Sequence, residues 1–451
     1  MASPLSEEAP ASLGQVSAEI ISVPGVPTPV MTSRIKFPGK RVTIHCSERN
    51  LFKLRQPIDC AAIGQRQGHD TQMTTRRKFL RNSVAAAAAV SATSALAPVK
   101  GLASRAKDFN INHENMQPEN TIIGHGGFRY KVDKGWAKLS VTSNPLLNCH
   151  EMVQDRKGRL IMLGDCTRNN ILIFDKSGKL LDYWGSAFPG GHGLSISHEG
   201  EEDFLYITDC GYFQDRTGNW NSQAGQVVKM TLDGRLVFAI GHPKTIGIYK
   251  DNEPFRPTET TVAPNGDIYV ADGYGSDYII QYDRNGKYIR HFGGRNNANK
   301  EHNLVNAHGV AVDTRNAANP TVICTSREEN CFKVYSMDGK FIKRLDMPGM
   351  YVCRPVIDGK NLYAGVCWSK DAAGNRQSDT GFVTILDENN KVVSCPGGNE
   401  PTYKNNVLQP VMQSPARIFH HGHDVCVDDE KNLYVCQWNA NFTPPVKLTR
   451  V

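Results

Sequence analysis

The stretch that decides the fold is Thr260-Thr-Val-Ala-Pro-Asn-Gly-Asp-Ile-Tyr-Val-Ala-Asp272, continued by Tyr278-Ile-Ile-Gln-Tyr-Asp-Arg-Asn-Gly-Lys-Tyr-Ile-Arg290. Short runs of β-branched and aromatic residues alternate here with polar turns that contain Asn-Gly. Runs of this length predict strands, and Asn-Gly between two such runs predicts a tight antiparallel connection. We therefore interpret the stretch as one unit of four antiparallel strands.

The same unit recurs along much of the chain. Regular copies run from Glu151 to Leu181 and from Gly309 to Ile342, and less regular copies begin near His192, Tyr351 and His423. The period is about 40 to 70 residues, the range of propeller blades once loop insertions are allowed. The copies start at His150, His192, Glu259, His308, Arg354 and His423. Six copies predict six blades.

The way the ring closes can also be predicted. The last copy is incomplete, because only Val446–Val451 remains after its second strand, and Arg129–Asp133 can pair there without leaving a free edge. No helical period interrupts residues 120–451, which argues against folds with helical crossovers. We predict an all-β, six-bladed β-propeller with an N-terminal strand that closes the last blade.

Composition excludes several classes of protein. The 451 residues are 39% hydrophobic and 22% charged and include 40 glycines, as in a soluble globular protein with many turns. The net charge of +7 is small beside 52 basic and 45 acidic residues, and no long basic run accompanies it, so we expect no nucleic-acid partner. Neither a GxSxG elbow, a Walker loop nor an HExxH helix occurs.

A segment after Met73 has the pattern of an export signal. Arg76-Arg77-Lys78-Phe79-Leu80 precedes a weakly apolar stretch, Val84–Ala97, which ends in the small-x-small site Ala95-Leu96-Ala97. The segment resembles a twin-arginine translocation signal, and its apolar part is too short to form a stable transmembrane anchor. The alternative interpretation is an ordinary alanine-rich amphipathic helix.

This signal divides the chain into three parts. Residues 1–72 are interpreted as a leader, either outside the translated protein if synthesis starts at Met73 or disordered. Residues 73–105 form the signal and cleavage region, and residues 106–451 form the propeller. We expect the twin-arginine export machinery as a partner and a periplasmic or secreted location. Ten of the twelve cysteines follow the signal, where an oxidising compartment permits disulfides.

Histidines recur at one phase of the innermost strands. Gly-His192-Gly, Ala-His308-Gly and Gly-His423-Asp each precede an apolar strand, and Cys-His150-Glu is a fourth possibility. Residues at this phase converge on the propeller axis. Three neutral imidazoles with an open fourth position suit a catalytic zinc ion, so His192, His308 and His423 are predicted ligands. The alternative is that each histidine only forms hydrogen bonds in the channel.

Several motifs resemble the lyase domain of peptidylglycine alpha-amidating enzymes, which is a six-bladed propeller of the NHL-repeat type. The resemblance covers about residues 140–451 and is strongest between Phe255 and Asp338. The matching motifs are Phe255-Arg-Pro-Thr, Tyr269-Val-Ala-Asp-Gly-Tyr274, Ile279-Ile-Gln-Tyr282, Ala307-His308-Gly, Ser326-Arg327-Glu-Glu-Asn330 and His423-Asp424.

The resemblance implies roles for individual residues. Tyr274 would be the general base, and Arg327 would orient or stabilise an anionic substrate group. The implied reaction is elimination at a carbinolamide, which yields an amide and glyoxylate from a small or peptide-derived substrate. A structural calcium ion is also implied, with Asp424 and the backbone carbonyls of Leu194 and Met152 as ligands, a donor set that suits this hard cation.

The chain also departs from the family pattern. The family's first-blade arginine has no clear counterpart, and Arg168 is only a nearby substitute. His150 stands where the family has no histidine, so it is a further candidate ligand or substrate-binding residue. No copper monooxygenase domain, which normally makes the hydroxyglycine substrate, precedes the propeller.

Two other functions stay open at this level. Glu259, at the channel phase of its blade, together with Asp424 would suit a calcium- or zinc-dependent lactonase or sugar hydrolase. A non-catalytic NHL-repeat binding module is the second alternative, because propellers host many functions. We expect a monomer in either case.

Overall fold

The structure is a computed structural model that describes residues 121–451, except 141 and 216, and three N-terminal strands. The N-terminal strands β1 (Ser17–Ile20), β2 (Met31–Phe37) and β3 (Lys40–Cys46) form an antiparallel sheet in the unit Met1–Asn110. The predicted export signal, residues 73–105, lies outside the described residues. The second unit, Ile111–Val451, contains the repeats.

The second unit is a six-bladed β-propeller, as the repeats predict. Its first two strands, β4 (Ile122–His125) and β5 (Phe128–Asp133), belong to the last blade. The first blade follows as β6 (Cys149–Gln154), β7 (Leu160–Gly164), β8 (Ile171–Phe174) and β9 (Leu180–Trp184). All of its neighbouring strands are antiparallel.

The second blade carries an insertion. Its four-stranded sheet is interrupted by a two-stranded hairpin, and a short 3-10 helix, Pro243–Ile246, follows it. The sheet strands are β10 (Gly191–Glu199), β11 (Glu202–Asp209), β14 (Gln226–Thr231) and β15 (Leu236–Ile240), and the hairpin strands are β12 (Tyr212–Gln214) and β13 (Trp220–Ser222).

The third, fourth and fifth blades repeat the pattern. The third contains β16 (Glu259–Val262), β17 (Ile268–Ala271), β18 (Tyr278–Tyr282) and β19 (Tyr288–Gly293), and the fourth contains β20 (Val310–Asp313), β21 (Thr321–Ser326), β22 (Cys331–Ser336) and β23 (Phe341–Asp346). The fifth contains β24 (Met350–Asp358), β25 (Asn361–Lys370), β26 (Arg376–Gln377), β27 (Phe382–Leu386) and β28 (Val392–Ser394). A separate hairpin, β29 (Tyr403–Lys404) and β30 (Val407–Leu408), follows it.

The sixth blade closes the ring in the predicted way. Its own strands are β31 (Gly422–Val427), β32 (Leu433–Gln437) and β33 (Val446–Arg450), and β5 adds to β33 with Arg450 opposite Tyr130. Strand β4 extends the sheet beyond the predicted closing strand. Pairing the last strand with an early one supplies the hydrogen bonds that a free edge would lack.

The core lies between successive blades. Strands such as β7, β17 and β25 are almost wholly buried, whereas the outer strand β9 has three exposed residues between two half-buried ones. Fully burying one aliphatic side chain stabilises the fold by roughly 1.5–3 kcal/mol. The six innermost strands therefore stand in a rigid ring, with their first residues around the channel. No helix among the described residues has the length and apolar character needed to span a bilayer.

Candidate functional site

Three of the four channel histidines lie at β-bulges. In β6 the register shifts between Cys149 and Glu151, and equivalent shifts flank His192 in β10 and His423 in β31. A bulge adds one residue to a strand and redirects its side chain. The bulges thus explain why His150, His192 and His423 turn toward one another instead of following the alternation of the strand.

Glycines beside the histidines permit close packing of neighbouring blades. A Cβ on Gly193 would lie 2.5 Å from the Thr258 carbonyl oxygen, and one on Gly309 would lie 2.5 Å from Cα of Arg354. Any other residue would push the adjacent inner strand away. The His-Gly motif therefore combines a channel side chain with a position that only glycine fits.

The predicted ligands form a nearly equilateral triangle. The ring centroids of His192 and His308 are 4.7 Å apart, those of His192 and His423 are 4.8 Å apart, and those of His308 and His423 are 4.9 Å apart. His150 lies 5.1 Å from both His192 and His423. Donor atoms of His150, His192 and His423 all lie within 4.8 Å of one another. The structure brings all four histidines together.

Hydrogen bonds orient two of these rings. Nδ1 of His192 donates to the Thr258 carbonyl oxygen over 2.8 Å, and Nδ1 of His423 donates to the His150 carbonyl oxygen over 3.0 Å. Donation from Nδ1 leaves Nε2 as the nitrogen that carries the lone pair, which is the usual outer arrangement around a metal-binding histidine. Burial lowers the pKa of both residues well below the ordinary value, so both rings are neutral.

The other two channel histidines, His308 and His150, differ in their hydrogen bonds. His308 is buried, burial lowers its pKa well below the ordinary value, and neither ring nitrogen has a hydrogen-bond partner in the described part of the chain. Nε2 of His150 lies 3.3 Å from Oδ2 of Asp165, which also accepts from Nδ2 of Asn148 over 2.7 Å. Buried polar atoms seldom lack partners, so the orphaned nitrogens of His308 fit a missing ligand. The four residues suit zinc.

Tyr274 lies beside the histidine triangle. Its hydroxyl is 3.1 Å from Nε2 of His192, and its ring centroid is 5.1 Å from that of His192 and 5.7 Å from that of His308. Burial raises the pKa of Tyr274, and the positive charge of Arg327 partly opposes this shift. The phenol is therefore protonated unless a further cation approaches it.

Arg327 packs against the aromatic rings of Tyr351 and Trp368. It is 3% exposed, its guanidinium carbon is 4.6 Å from the Tyr351 ring centroid, and Nη2 lies 2.8 Å from Sγ of Cys353. Its Nε is buried without a partner in the region that the structure describes. Burial opposes ionisation of Cys353, but the neighbouring Cys367 thiol and the Arg327 charge together lower the pKa of Cys353 to about 7. The predicted arginine is thus close to the site and holds one unused donor.

A cavity of about 240 Å³ adjoins His150 and His192. Tyr212 and Trp220 from the β12–β13 hairpin and Trp438 from the end of β32 contribute aromatic walls to it, beside Tyr274. The guanidinium of Arg256 stacks 4.0 Å from the Tyr212 ring centroid. Tyr212, Trp220, Trp438 and Asp165 were not predicted as site residues, because they lie in loops and an insertion whose positions do not repeat from blade to blade.

The other predicted site residues lie elsewhere. Arg168 is exposed in the turn between β7 and β8. Glu259 is fully buried and lies 3.5 Å from Nε of Arg354. It therefore belongs to a second cluster of charged residues in the channel, centred on Arg354.

The three predicted calcium ligands also meet in that second cluster. Asp424 receives two hydrogen bonds from Arg354, and the carbonyl oxygens of Leu194 and Met152 accept from the same guanidinium. These residues do not fit a calcium ion as they stand, because a side-chain cation already lies among their oxygen atoms.

The ten cysteines of the propeller, from Cys149 to Cys436, form no disulfide among the described residues. Cys324 stands opposite Lys333 and Cys426 stands opposite Tyr434, so neither faces a cysteine in these strand pairs. Cys353 and Cys367 are in side-chain contact beside Arg327.

Two curated proteins with similar sequences have names that agree with the resemblance carried by these motifs. The chain is 26% identical over 183 residues to a Caenorhabditis elegans protein named "Probable peptidyl-alpha-hydroxyglycine alpha-amidating lyase pgal-1", a match that covers 39% of the chain and 47% of that protein. It is 29% identical over 149 residues to the human NHL repeat-containing protein 3, covering 32% of the chain and 40% of that protein. The chain resembles amidating lyases and NHL-repeat proteins.

These similarities are partial. The matches span less than half the length of both curated relatives, and no protein-family model matches the chain. Among solved structures, a gluconolactonase from Xanthomonas campestris is 11% identical, with a TM-score of 0.44 over 74% of this chain and 98% of its own.

Proposed function

We propose that the protein is a zinc-dependent lyase that cleaves N-acylated alpha-hydroxyglycine compounds into an amide and glyoxylate. The observation that carries this proposal is the Tyr274 hydroxyl, which lies 3.1 Å from Nε2 of His192 at the edge of three buried, neutral imidazoles. The similarity to a protein named as an amidating lyase supports the same reaction.

His192, His308 and His423 would hold the zinc ion, with His150 as a further ligand or a substrate-binding group. A bound zinc ion would act as a Lewis acid on a substrate oxygen. The chain's contribution is to keep these rings neutral, since burial lowers the pKa of all three predicted ligands. Protonated imidazoles could not donate to a metal.

Tyr274 is the proposed general base, which removes the proton of the substrate hydroxyl. In the proposed elimination, the ionised oxygen of Tyr274 takes the proton of the substrate hydroxyl, the hydroxyl oxygen forms a double bond to carbon as the carbon–nitrogen bond breaks, and the same proton passes from Tyr274 to the amide nitrogen. The products are the amide and glyoxylate, and Tyr274 returns to its ionised state, so atoms and charge balance. Burial raises the pKa of Tyr274, and therefore it needs positive charge nearby to act as a base. Arg327 supplies part of that charge.

The surrounding residues favour a substrate with one anionic end and one apolar end. The unpartnered Nε of Arg327 can donate to the carboxylate that becomes glyoxylate. Tyr212, Trp220 and Trp438 offer ring faces to the acyl group. By contrast, Glu259 and Asp424, on which a lactonase would depend, are fully buried and paired with Arg354.

The direct test is product formation by the purified protein. We expect glyoxylate from N-acyl alpha-hydroxyglycine, loss of this activity when zinc is removed, and its return when zinc is added back. Acid release from lactones under the same conditions would instead indicate the hydrolase. A zinc-bound protein that forms neither product would overturn the lyase in favour of a binding module.

A further inference from the structure

Arg354 connects the fifth blade to four other blades of the propeller. It projects from β24 of the fifth blade, and its guanidinium meets oxygen atoms from four other blades at distances of 2.6–3.5 Å. The partners are Asp424 through both carboxylate oxygens, Leu194 and Met152 through their carbonyl oxygens, and Glu151 and Glu259 through one carboxylate oxygen each.

The partner groups are themselves fixed to the inner strands. Oε2 of Glu151 accepts from the Leu194 amide over 2.6 Å, Oδ2 of Asp424 accepts from the Met152 amide over 3.0 Å, and Oε1 of Glu259 accepts from the Thr260 amide over 2.8 Å. Arg354 is 7% exposed. Buried carboxyl groups need a cationic partner, and a planar guanidinium satisfies several of them at once.

The same oxygen atoms would otherwise be a suitable cation site. Calcium takes six to eight oxygen ligands, with carboxylates and backbone carbonyls preferred. Carboxylates from three blades and carbonyls from two converge here. The carboxyl groups of Glu151, Glu259 and Asp424 face a single guanidinium, that of Arg354. One guanidinium therefore neutralises only part of this acidic cluster.

We propose that Arg354 is a built-in cation that replaces a divalent metal at the propeller axis, so that the ring closes without calcium. The guanidinium and a calcium ion cannot share the same oxygen atoms, because both carry positive charge and require the same positions. The covalent attachment of Arg354 also keeps it in place at every calcium concentration. Removal of this side chain should expose a calcium site that the natural sequence does not use.

The position is reachable from solution. Arg354 and Met152 line a cavity of about 860 Å³, which also contains Ser195 and Thr260. An ion from the buffer can therefore reach the cluster once the side chain is shortened. This inference does not depend on the lyase activity, since it concerns calcium binding and stability.

The test compares the wild type with Arg354→Ala and the milder Arg354→Gln, all loaded with zinc. Calcium bound after equilibrium dialysis is measured by elemental analysis, and thermal unfolding is followed over a calcium series. We expect no calcium on the wild type and no change in its Tm. Each variant should bind about one equivalent and gain Tm with the logarithm of calcium concentration.

Asp424→Asn in the Arg354→Ala background is the matched control, and it should lose the calcium. A variant that is soluble only with calcium also supports the proposal. Two outcomes would overturn it: a wild type that takes up one equivalent through Asp424, or folded Arg354→Ala and Arg354→Gln variants that both bind none. If Arg354→Ala does not fold at any calcium concentration, Arg354→Gln alone decides between these results.

Discussion

The hydroxyl of Tyr274 donates to Nε2 of His192 over 3.1 Å, while Nδ1 of the same ring donates to the Thr258 carbonyl oxygen over 2.8 Å. The phenol therefore uses the lone pair that a metal would need. Zinc binding by Nε2, as proposed, would release this hydrogen bond and free the hydroxyl of Tyr274, which lines the adjacent cavity. The proposed metal site and the proposed base would thus be coupled through one contact.

Replacement of Tyr274 by phenylalanine should abolish the base and keep the ring. We expect kcat for glyoxylate formation to fall by about 100-fold or more, the usual contribution of a positioned general base, with little change in KM. Steady-state kinetics at equal zinc content measure both values. Tyr212→Phe is the matched control, because its ring lies 6.3 Å from that of Tyr274 but its hydroxyl has no proposed role. Undiminished turnover by the Tyr274→Phe enzyme would remove this residue from the mechanism.

His308→Ala should lower the zinc content. Both nitrogens of His308 lack partners in the described ranges, so we expect its removal to leave the fold intact and to weaken zinc binding by more than about 100-fold. Elemental analysis and competition with a chelator measure the loss. His198→Ala, at an exposed histidine paired with Asp203, should retain wild-type zinc. Equal zinc affinity in the His308 variant and the wild type would contradict the proposed ligand set.

The repeats could be predicted from the sequence because each blade packs its buried inner strands against its neighbours in the same way. Inner, buried strands and glycine-containing turns recur, so the six blades and the closing strand Arg129–Asp133 could be predicted from periodicity. The phase of the repeat also located the channel histidines. The bulges that turn these side chains inward were not predictable, since they depend on register shifts between paired strands.

The rest of the site depends on contacts between distant parts of the chain. Arg354 and Asp424 are 70 residues apart, and nothing in either blade alone shows that a guanidinium would meet the carboxylate. Trp220 lies in an insertion that the other blades lack, so no repeat phase applies to it. Periodicity locates residues within a blade, whereas contacts across the axis require the assembled ring.

Gly309→Ala should disturb the fold and the metal site together. The added Cβ would lie 2.5 Å from Cα and 3.1 Å from the backbone nitrogen of Arg354. Both are backbone atoms of the neighbouring inner strand, so relief of the clash requires that strand to move. We expect a loss of about 1–3 kcal/mol in the free energy of unfolding, with reduced zinc content through displacement of His308. Urea denaturation and elemental analysis check both effects. Gly127→Ala, where a Cβ meets nothing within 4 Å, should behave like the wild type.

Cys353 should make stability depend on pH. Its pKa is lowered from 9.0 to about 7 in the folded state, so the unfolded chain binds more protons between these values and stability rises with pH across this window. Relative to Cys353→Ser, the wild type should gain about 1–2 kcal/mol between pH 7 and pH 9 and lose this advantage below pH 7. Urea denaturation at several pH values measures the difference. Cys395→Ser should show no such gain, because burial raises the pKa of Cys395 to about 12.

Trp220 should determine which acyl groups the proposed lyase activity prefers. Its side chain is 57% exposed on β13, yet it forms one wall of the cavity beside His192 and Tyr274. An aromatic contact of this kind contributes about 0.5–1.5 kcal/mol, so Trp220→Ala should lower kcat/KM for an N-benzoyl substrate by up to about 10-fold. The N-acetyl substrate, which is too small to cover the ring, should be affected much less. Leu236→Ala removes an exposed apolar side chain from β15 of the same blade and should change neither value. Equal losses for the two substrates in Trp220→Ala would show that the tryptophan supports the hairpin and does not contact the acyl group.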